Sequence, residues 1–330
     1  MNIIKEIQTE ETNKILDKLN KERLKIRKII ILFTIITIIL LSVLLILMSD
    51  IAQESSEATL GLVFIAFCII TSITLPIERK INRSYLYNFK IDLIPQIVKS
   101  VDKSLKYEYY NRVSEKVFRD SYLYESRLKK RIFYEFRYKG YDLISGNFND
   151  TKIILSQIEA KFKSLGQIYE KKMCPHAEVR RIRDTVFTGI FFVATFKKQF
   201  NTMLFIKDID DLKLAKIYNK DFECERIEIN GKEKHNDLFI YANNQVEAKK
   251  ILRDEFMEKI LKLILIEDNK RSISISLIDT KLYIGISMPD YNNLFKAKIF
   301  SEEIIPEEKI SIYYKYLSYL YEIVDTFKIQ

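Results

Sequence analysis

Hydrophobic positions are distributed unevenly along this chain. Two uninterrupted apolar runs, Ile29 to Met48 and Thr59 to Ile77, stand near its start, separated by about ten residues that carry acid but no Lys or Arg. The first run has twenty residues, none charged, and fifteen of them are Ile, Leu or Val. At about 1.5 Å per residue that is enough to cross a hydrocarbon core roughly 30 Å thick. A core helix of a soluble protein keeps at least one polar edge, and neither run has one. The pattern therefore predicts a helical transmembrane hairpin over 29–77, with spans at 29–48 and 59–77. A cleaved secretory signal does not fit: the run is too long, it starts 28 residues in, and a second span follows it.

Flanking charge sets the expected orientation. Lys21, Arg23, Lys25, Arg27 and Lys28 precede the first run, and Arg79, Lys80 and Arg83 follow the second, whereas Asp50, Glu54 and Glu57 lie between. Because Lys and Arg resist translocation, both termini are expected in the cytosol of a bacterial inner membrane. The leader, residues 1–28, spaces Ile4, Ile7, Ile15, Leu16, Leu19 and Leu24 among charges of alternating sign. That reads as an amphipathic helix or a loose cytosolic cap. Residues 78–127 read as a membrane-proximal helical stalk. Its first part is a helix from Ile81 to Tyr107, with Leu86, Phe89, Leu93, Ile97, Val101 and Leu105 on one face and a kink or a break between two helices expected at Pro95, and a short helix near Arg112 to Arg119 follows.

From about Leu128 the periodicity becomes that of strands, and residues 128–330 read as one α+β domain built on a mainly antiparallel sheet. The expected strands are Ile132 to Tyr138, Tyr141 to Asn147, Lys152 to Lys163, Val186 to Phe196, Thr202 to Ile206, Glu225 to Asn230 and Asp237 to Tyr241. Gly146 to Asp150 reads as a hairpin turn. One long internal helix is expected behind an Asn244 cap and Glu247, with Ala248, Leu252, Phe256, Ile260 and Ile264 facing the core. A further hairpin, Ser272 to Ile278 and Lys281 to Met288, turns over Asp279-Thr280. A closing helix starts near Pro306, where Glu307 and Glu308 suit its first turn.

Charge then adds to this picture. The chain carries a formal net charge of +9, and the excess lies after the hairpin. Near an anionic leaflet each Lys or Arg contributes about 1 kcal/mol, so the headgroups of the lipid bilayer are the expected partner of that charge. Nucleic acid fits less well, because the basic residues are dispersed among acids. The candidate binding surface combines Arg127, Lys129, Lys130, Arg131, Arg137 and Lys139 with Arg180, Arg181, Arg183, Lys197 and Lys198.

Candidate chemistry is sparse. Cys174, His176, Cys224 and His235 could be written as a zinc set, but structural zinc takes close pairs two to four residues apart and these do not provide them. Seven glycines form neither a G-x-G-x-x-G nor a Walker loop. The two histidines stand in no recognisable triad. No catalytic residue, cofactor or metal ligand is expected.

The stretch from Phe187 through Gly189, Phe191 and Phe192 to Phe196-Lys-Lys198, then Phe239 to Gln245-Val-Glu247-Ala248, then Ile273 to Ile286 with Leu294-Phe295 resembles a bacterial membrane-protein family known as domain of unknown function 3137. Tyr141-Asp142 to Gly146, with Ser156 and Glu159, fits the same pattern, so the resemblance covers most of the chain. It implies architecture and no activity, and it suggests LemA-like membrane proteins as partners. Thr195 and Asn244 stand where that family usually has acids. Together these readings point to a membrane-held scaffold or regulator that binds a protein partner or the membrane surface. An envelope-stress or anti-phage effector with a sensing domain is the alternative, and homo-oligomerisation through the second span stays open.

Overall fold

The computed structural model describes residues 10–51, 64, 72, 76–77, 79–81, 83–128, 134–164, 185–207, 224–228, 238–266, 272–288 and 307–327. The chain forms two compact units, one of residues 1–97 with 295–310 and one of residues 98–294 with 311–330.

In the first unit, a single helix α1 (Glu10–Ile51) carries both the expected leader and the first apolar run. Helix α2 (83–92) lies against its charged half, where Lys18 Nζ meets Asp92 Oδ2 at 3.0 Å and Asn88 donates to Glu22 at 3.4 Å. Leu19, Tyr85, Phe89 and Leu93 are buried. The break foreseen at Pro95 is present: the chain turns at Leu93, and α3 (Ile94–Val101) starts with the proline in its first turn, where a missing N–H costs no helix bond. Among the described residues no helix is long and apolar enough to cross a membrane. Within 29–48 the side chains of 41, 44, 45, 47 and 48 lie outside the description, and so does most of 59–77. The expected pair of spans is therefore not established by these residues.

Among the described residues, the second unit forms a nine-stranded antiparallel sheet in the order β1-β2-β3-β4-β9-β8-β5-β7-β6. The strands are β1 (Lys106–Glu108), β2 (Tyr134–Phe148), β3 (Thr151–Ser164), β4 (Thr185–Thr195), β5 (Leu204–Lys207), β6 (Glu225–Arg226), β7 (Phe239–Ala242), β8 (Ile273–Ile278) and β9 (Lys281–Ser287). This unit begins at Val98, and β1 pairs with β2, so the stretch expected as the end of a helical stalk is part of the sheet. The strands expected at 132–138 and 141–147 are one strand, β2, which turns into β3 over Asn149-Asp150, with Asn149 at φ 52°. The β8–β9 hairpin is as expected, and it inserts between β4 and β5.

Both sheet faces carry core residues. On one face a row runs Ser156, Phe191, Gly285, Ser274 and Lys207 across five strands, and the next runs Val193, Tyr283, Ser276 and Phe205. The segment holding α4 (Glu115–Arg119) and α5 (Glu125–Leu128) lies on it. Phe118 is its plug, 5.1 Å from Phe191 and 5.2 Å from Tyr124 between ring centroids. Polar clips add to the aromatics: Ser276 donates to the Ser121 carbonyl at 2.8 Å, and buried Lys207 donates to the Leu123 carbonyl at 2.6 Å with its ammonium 5.7 Å from the Tyr124 ring centre. A buried cation needs such partners to offset lost hydration.

The opposite face is apolar, with rows such as Leu155, Phe192, Ile284, Ile275 and Ile206. The internal helix expected as continuous is two, α6 (Gln245–Ile251) and α7 (Asp254–Ile264), broken at Leu252-Arg253. Asp254 and Glu255 then favour the new helix start. Helix α8 (Glu307–Thr326) ends in Phe327, whose ring sits within 5.4 Å of Phe196, Phe200 and Phe256.

Gly189 holds the sheet at its middle. A Cβ there would lie 1.9 Å from the Ile286 carbonyl oxygen, whereas a Cβ at Gly285 would meet the movable end of Tyr124. Gly189→Ala should destabilise the domain by about 3 kcal/mol or more, and Gly285→Ala by clearly less. Urea unfolding of the two variants checks the order.

Candidate functional site

Side chains in a strand alternate between faces, so an inserted residue reverses every later one. β2 has such an insertion. Between Tyr141 and Ile144 it takes three steps while β3 takes two, from Gln157 to Leu155. Asp142 sits in the bulge at φ 61°, a conformation Asp tolerates better than most residues. Its N–H donates to the Tyr109 carbonyl at 3.0 Å, and the Tyr107 hydroxyl donates to its carboxylate at 2.5 Å. The carboxylate is buried, and burial with the neighbouring Asp142 charge holds the Tyr109 phenol above its ordinary value.

The reversal divides the second face of the β2–β3 hairpin. Past the bulge it presents Ile144, Gly146 and Phe148 opposite Leu155, Ile153 and Thr151, and Phe148 stacks on Tyr321 of α8 at 4.1 Å. Before the bulge it presents Glu135, Arg137 and Lys139 opposite Lys163, Lys161 and Glu159. The alternate residues Tyr134, Phe136 and Tyr138 point to the core under α4. Tyr138 donates to the Val113 carbonyl at 2.8 Å, and burial raises its phenol well above the ordinary range.

This charged band carries four cations and two carboxylates. Arg137 stands directly opposite Lys161, a pairing that costs stability in a sheet. Each takes a carboxylate two residues along its own strand, Glu135 at 3.0 Å for Arg137 and Glu159 for Lys161. Lys139 has no carboxylate partner among the described residues. A surface of this kind can hold carboxylates or phosphates; it offers no nucleophile with an adjacent base.

Among the described residues, those expected to form one basic surface are dispersed. Arg137 and Lys139 lie on the band. Arg127 belongs to the α4–α5 segment and donates to the Val186 carbonyl at 3.3 Å. Lys197 and Lys198 are exposed beyond β4, and Lys197 pairs with Asp150 at the hairpin turn. That is the far end of the hairpin, about 30 Å from Arg137 at the rise of a strand. Lys129, Lys130, Arg131, Arg180, Arg181 and Arg183 lie outside the described residues, as do Cys174, His176 and His235. Cys224 is buried, and burial pushes its thiol up to about 11. Lys161 and Lys163 belong to the site and were not expected. Their signal was present as charge at every second residue, Glu159-x-Lys161-x-Lys163 facing Glu135-x-Arg137-x-Lys139.

The motif residues serve packing. Phe187 and Phe191 enter the core under α4, Phe192 points to the other face, and Phe196 joins the cluster around Phe327. Asn244 caps α6 by accepting from the Glu247 N–H at 3.2 Å. Gln245 donates to Glu225 at 2.7 Å, Glu247 pairs with Lys250, and Ala248 is buried. Thr195 stands between Lys152 and Lys281 in register, so an acid there would have had a lysine on either side.

Asp142→Ala should cost about 1–3 kcal/mol, through the left-handed backbone and the orphaned Tyr107 hydroxyl. Asp142→Asn, which keeps an acceptor and tolerates the conformation, should cost less. Thermal unfolding of both checks this.

Residues 185–329 match a family described as "Protein of unknown function (DUF3137)". No curated protein matches the chain. Among solved structures, the crystal structure of the mycobacterial trehalose monomycolate transport factor A, TtfA, is similar at 8% identity, with a TM-score of 0.30, over 68% of this chain and 94% of that one.

Proposed function

Taking residues 185–329 as a DUF3137 domain, we propose that the protein is a membrane-anchored scaffold or regulator, held by a helical hairpin and docking an acidic surface through the band on β2 and β3. Three features of α1 support the anchor. Ile31, Leu32, Ile35, Ile36, Ile38, Ile39, Leu40, Val43 and Ile46 are all exposed. At about 100° per residue they cover more than half of the helix circumference, and only a strip at Ile30, Phe33 and Thr37 is more enclosed. The hydroxyls of Thr34, Thr37 and Ser42 donate to the carbonyls of Ile30, Phe33 and Ile38 one turn back, which is how a helix in hydrocarbon satisfies them.

The register of α1 on α2 supports a hairpin. Lys18 faces Asp92 and Glu22 faces Asn88, so four residues forward in one helix match four back in the other. Continued at that register, Ile29 falls opposite Ile81, as an antiparallel helical hairpin requires. Extraction of whole membranes with alkaline carbonate should leave the full chain in the pellet and release a chain lacking 29–77. Release of the full chain would remove the anchor.

The observation that carries the docking role is the charge band itself, four cations against two carboxylates, in which Arg137 faces Lys161 across the two strands. Charge reversal at Arg137, Lys139, Lys161 and Lys163 together should weaken capture of acidic partners at least about tenfold, with the fold retained by circular dichroism at a lower unfolding temperature. Tagged full chain in lipid nanodiscs, with mass spectrometry of co-purified proteins and co-sedimentation with phosphatidylglycerol vesicles, separates a protein partner from a lipid surface. Equal capture by the reversed variant would move docking elsewhere.

A further inference from the structure

The band has an open border. β1 pairs with β2 only at Leu143, Ile144 and Ser145, and Asp142 continues that edge through its bond to Tyr109. From Glu135 to Lys139, no strand among the described residues pairs with β2 on the side away from β3. Along these five residues, roughly 17 Å of strand, the backbone donors and acceptors of alternate residues are thus directed outward. Such an edge is a template for an added strand.

We propose that this edge takes an extended, acidic segment of a partner protein as a tenth strand. The inference rests on the docking role proposed for the band, and it names the partner's chemistry. The argument is charge complementarity on both faces at once. Arg112 lies on the core face, beside the Cα of Gly140 and 5.8 Å from the centre of the Tyr138 ring. Lys139 lies on the band face, opposite Glu159, whose carboxylate is taken by Lys161. Neither Arg112 nor Lys139 has a carboxylate partner among the described residues. The carboxylates bordering the edge are committed: Glu115 to Arg119 at 2.8 Å, and Glu135 to Arg137.

A strand laid against residues 134–140 sends successive side chains to opposite faces. Two adjacent acids in it would therefore meet Lys139 on one face and Arg112 on the other. A second copy of the same edge is disfavoured as the occupant, because both would bring excess positive charge. A lipid headgroup satisfies charge and cannot satisfy a ladder of backbone groups.

The test uses the full chain in nanodiscs and a fluorescent synthetic peptide, Thr-Val-Glu-Glu-Val-Thr-Val, capped at both ends. Three relatives serve as comparisons: one with Lys-Lys in place of Glu-Glu, and two N-methylated at alternate residues, one on each set of backbone edges. The acidic peptide should bind, the Lys-Lys peptide should not, and one of the two N-methylated peptides should bind at least about tenfold more weakly. Lys139→Glu and Arg112→Glu should each weaken binding several-fold, with Lys249→Glu, on exposed α6, as the neutral control. Amide hydrogen exchange at residues 134–140 should slow when the acidic peptide is bound.

Binding that ignores both N-methylation patterns would overturn strand addition while leaving the band's attraction for acid in place. Protection appearing outside 134–140 would overturn it too. No binding of the acidic peptide by a chain that still captures a co-purified protein or anionic vesicles would defeat this inference alone. Loss of all three would defeat the docking role with it.

Discussion

A β-strand offers its two faces in strict alternation, and the structure turns on the one place where β2 interrupts that rule. The extra residue at Asp142 lets a single strand serve two surroundings. Without it, either the charged residues at 135, 137 and 139 or the apolar residues at 144 and 148 would face the wrong way. The left-handed backbone costs free energy at that point. It is offset by two hydrogen bonds to the 107–109 segment, which also bring β1 to the sheet edge and leave the rest of that edge open.

The sheet beyond this hairpin is organised by burial on both faces. One face receives the 113–128 segment through Phe118, Tyr124 and a few polar clips; the other is apolar across five strands, with the Phe327 cluster tying α8 to β4 and α7. The polar members of the core are bonded to carbonyls, as Lys207 and Ser276 are. At Gly189 an added Cβ would meet the Ile286 carbonyl of β9. The glycine and the phenylalanines of this strand shape the interior.

Much of the fold was legible along the chain. The β8–β9 hairpin, the Asn244 cap, the break near Pro95 and the closing helix follow from local signals, because turn residues, caps and prolines act over a few positions. Two merged elements and one split element were not. The strand expected to end at Tyr138 continues because Gly140 allows the close passage of Arg112 and the bulge restores pairing. The leader merges with the first apolar run because no breaker stands between Lys28 and Ile29. The internal helix divides at Leu252 without a Gly or Pro, so no local breaker announces it, and the two halves bury Ile251 and Phe256 on either side of the break.

The candidate site shows the same division. Composition alone establishes a basic chain with two long apolar runs, poor in glycine and histidine, and those properties direct the reading toward membranes and acidic partners and away from catalysis. They are sums over residues, so sequence suffices. Which cations share a surface depends on register and parity, which pairing across 20 or more residues decides. Arg137 and Lys139 meet Lys161 and Lys163 only through the β2–β3 ladder, while Lys197 goes to the other end of the hairpin. Tertiary structure alone therefore chose the face and its border.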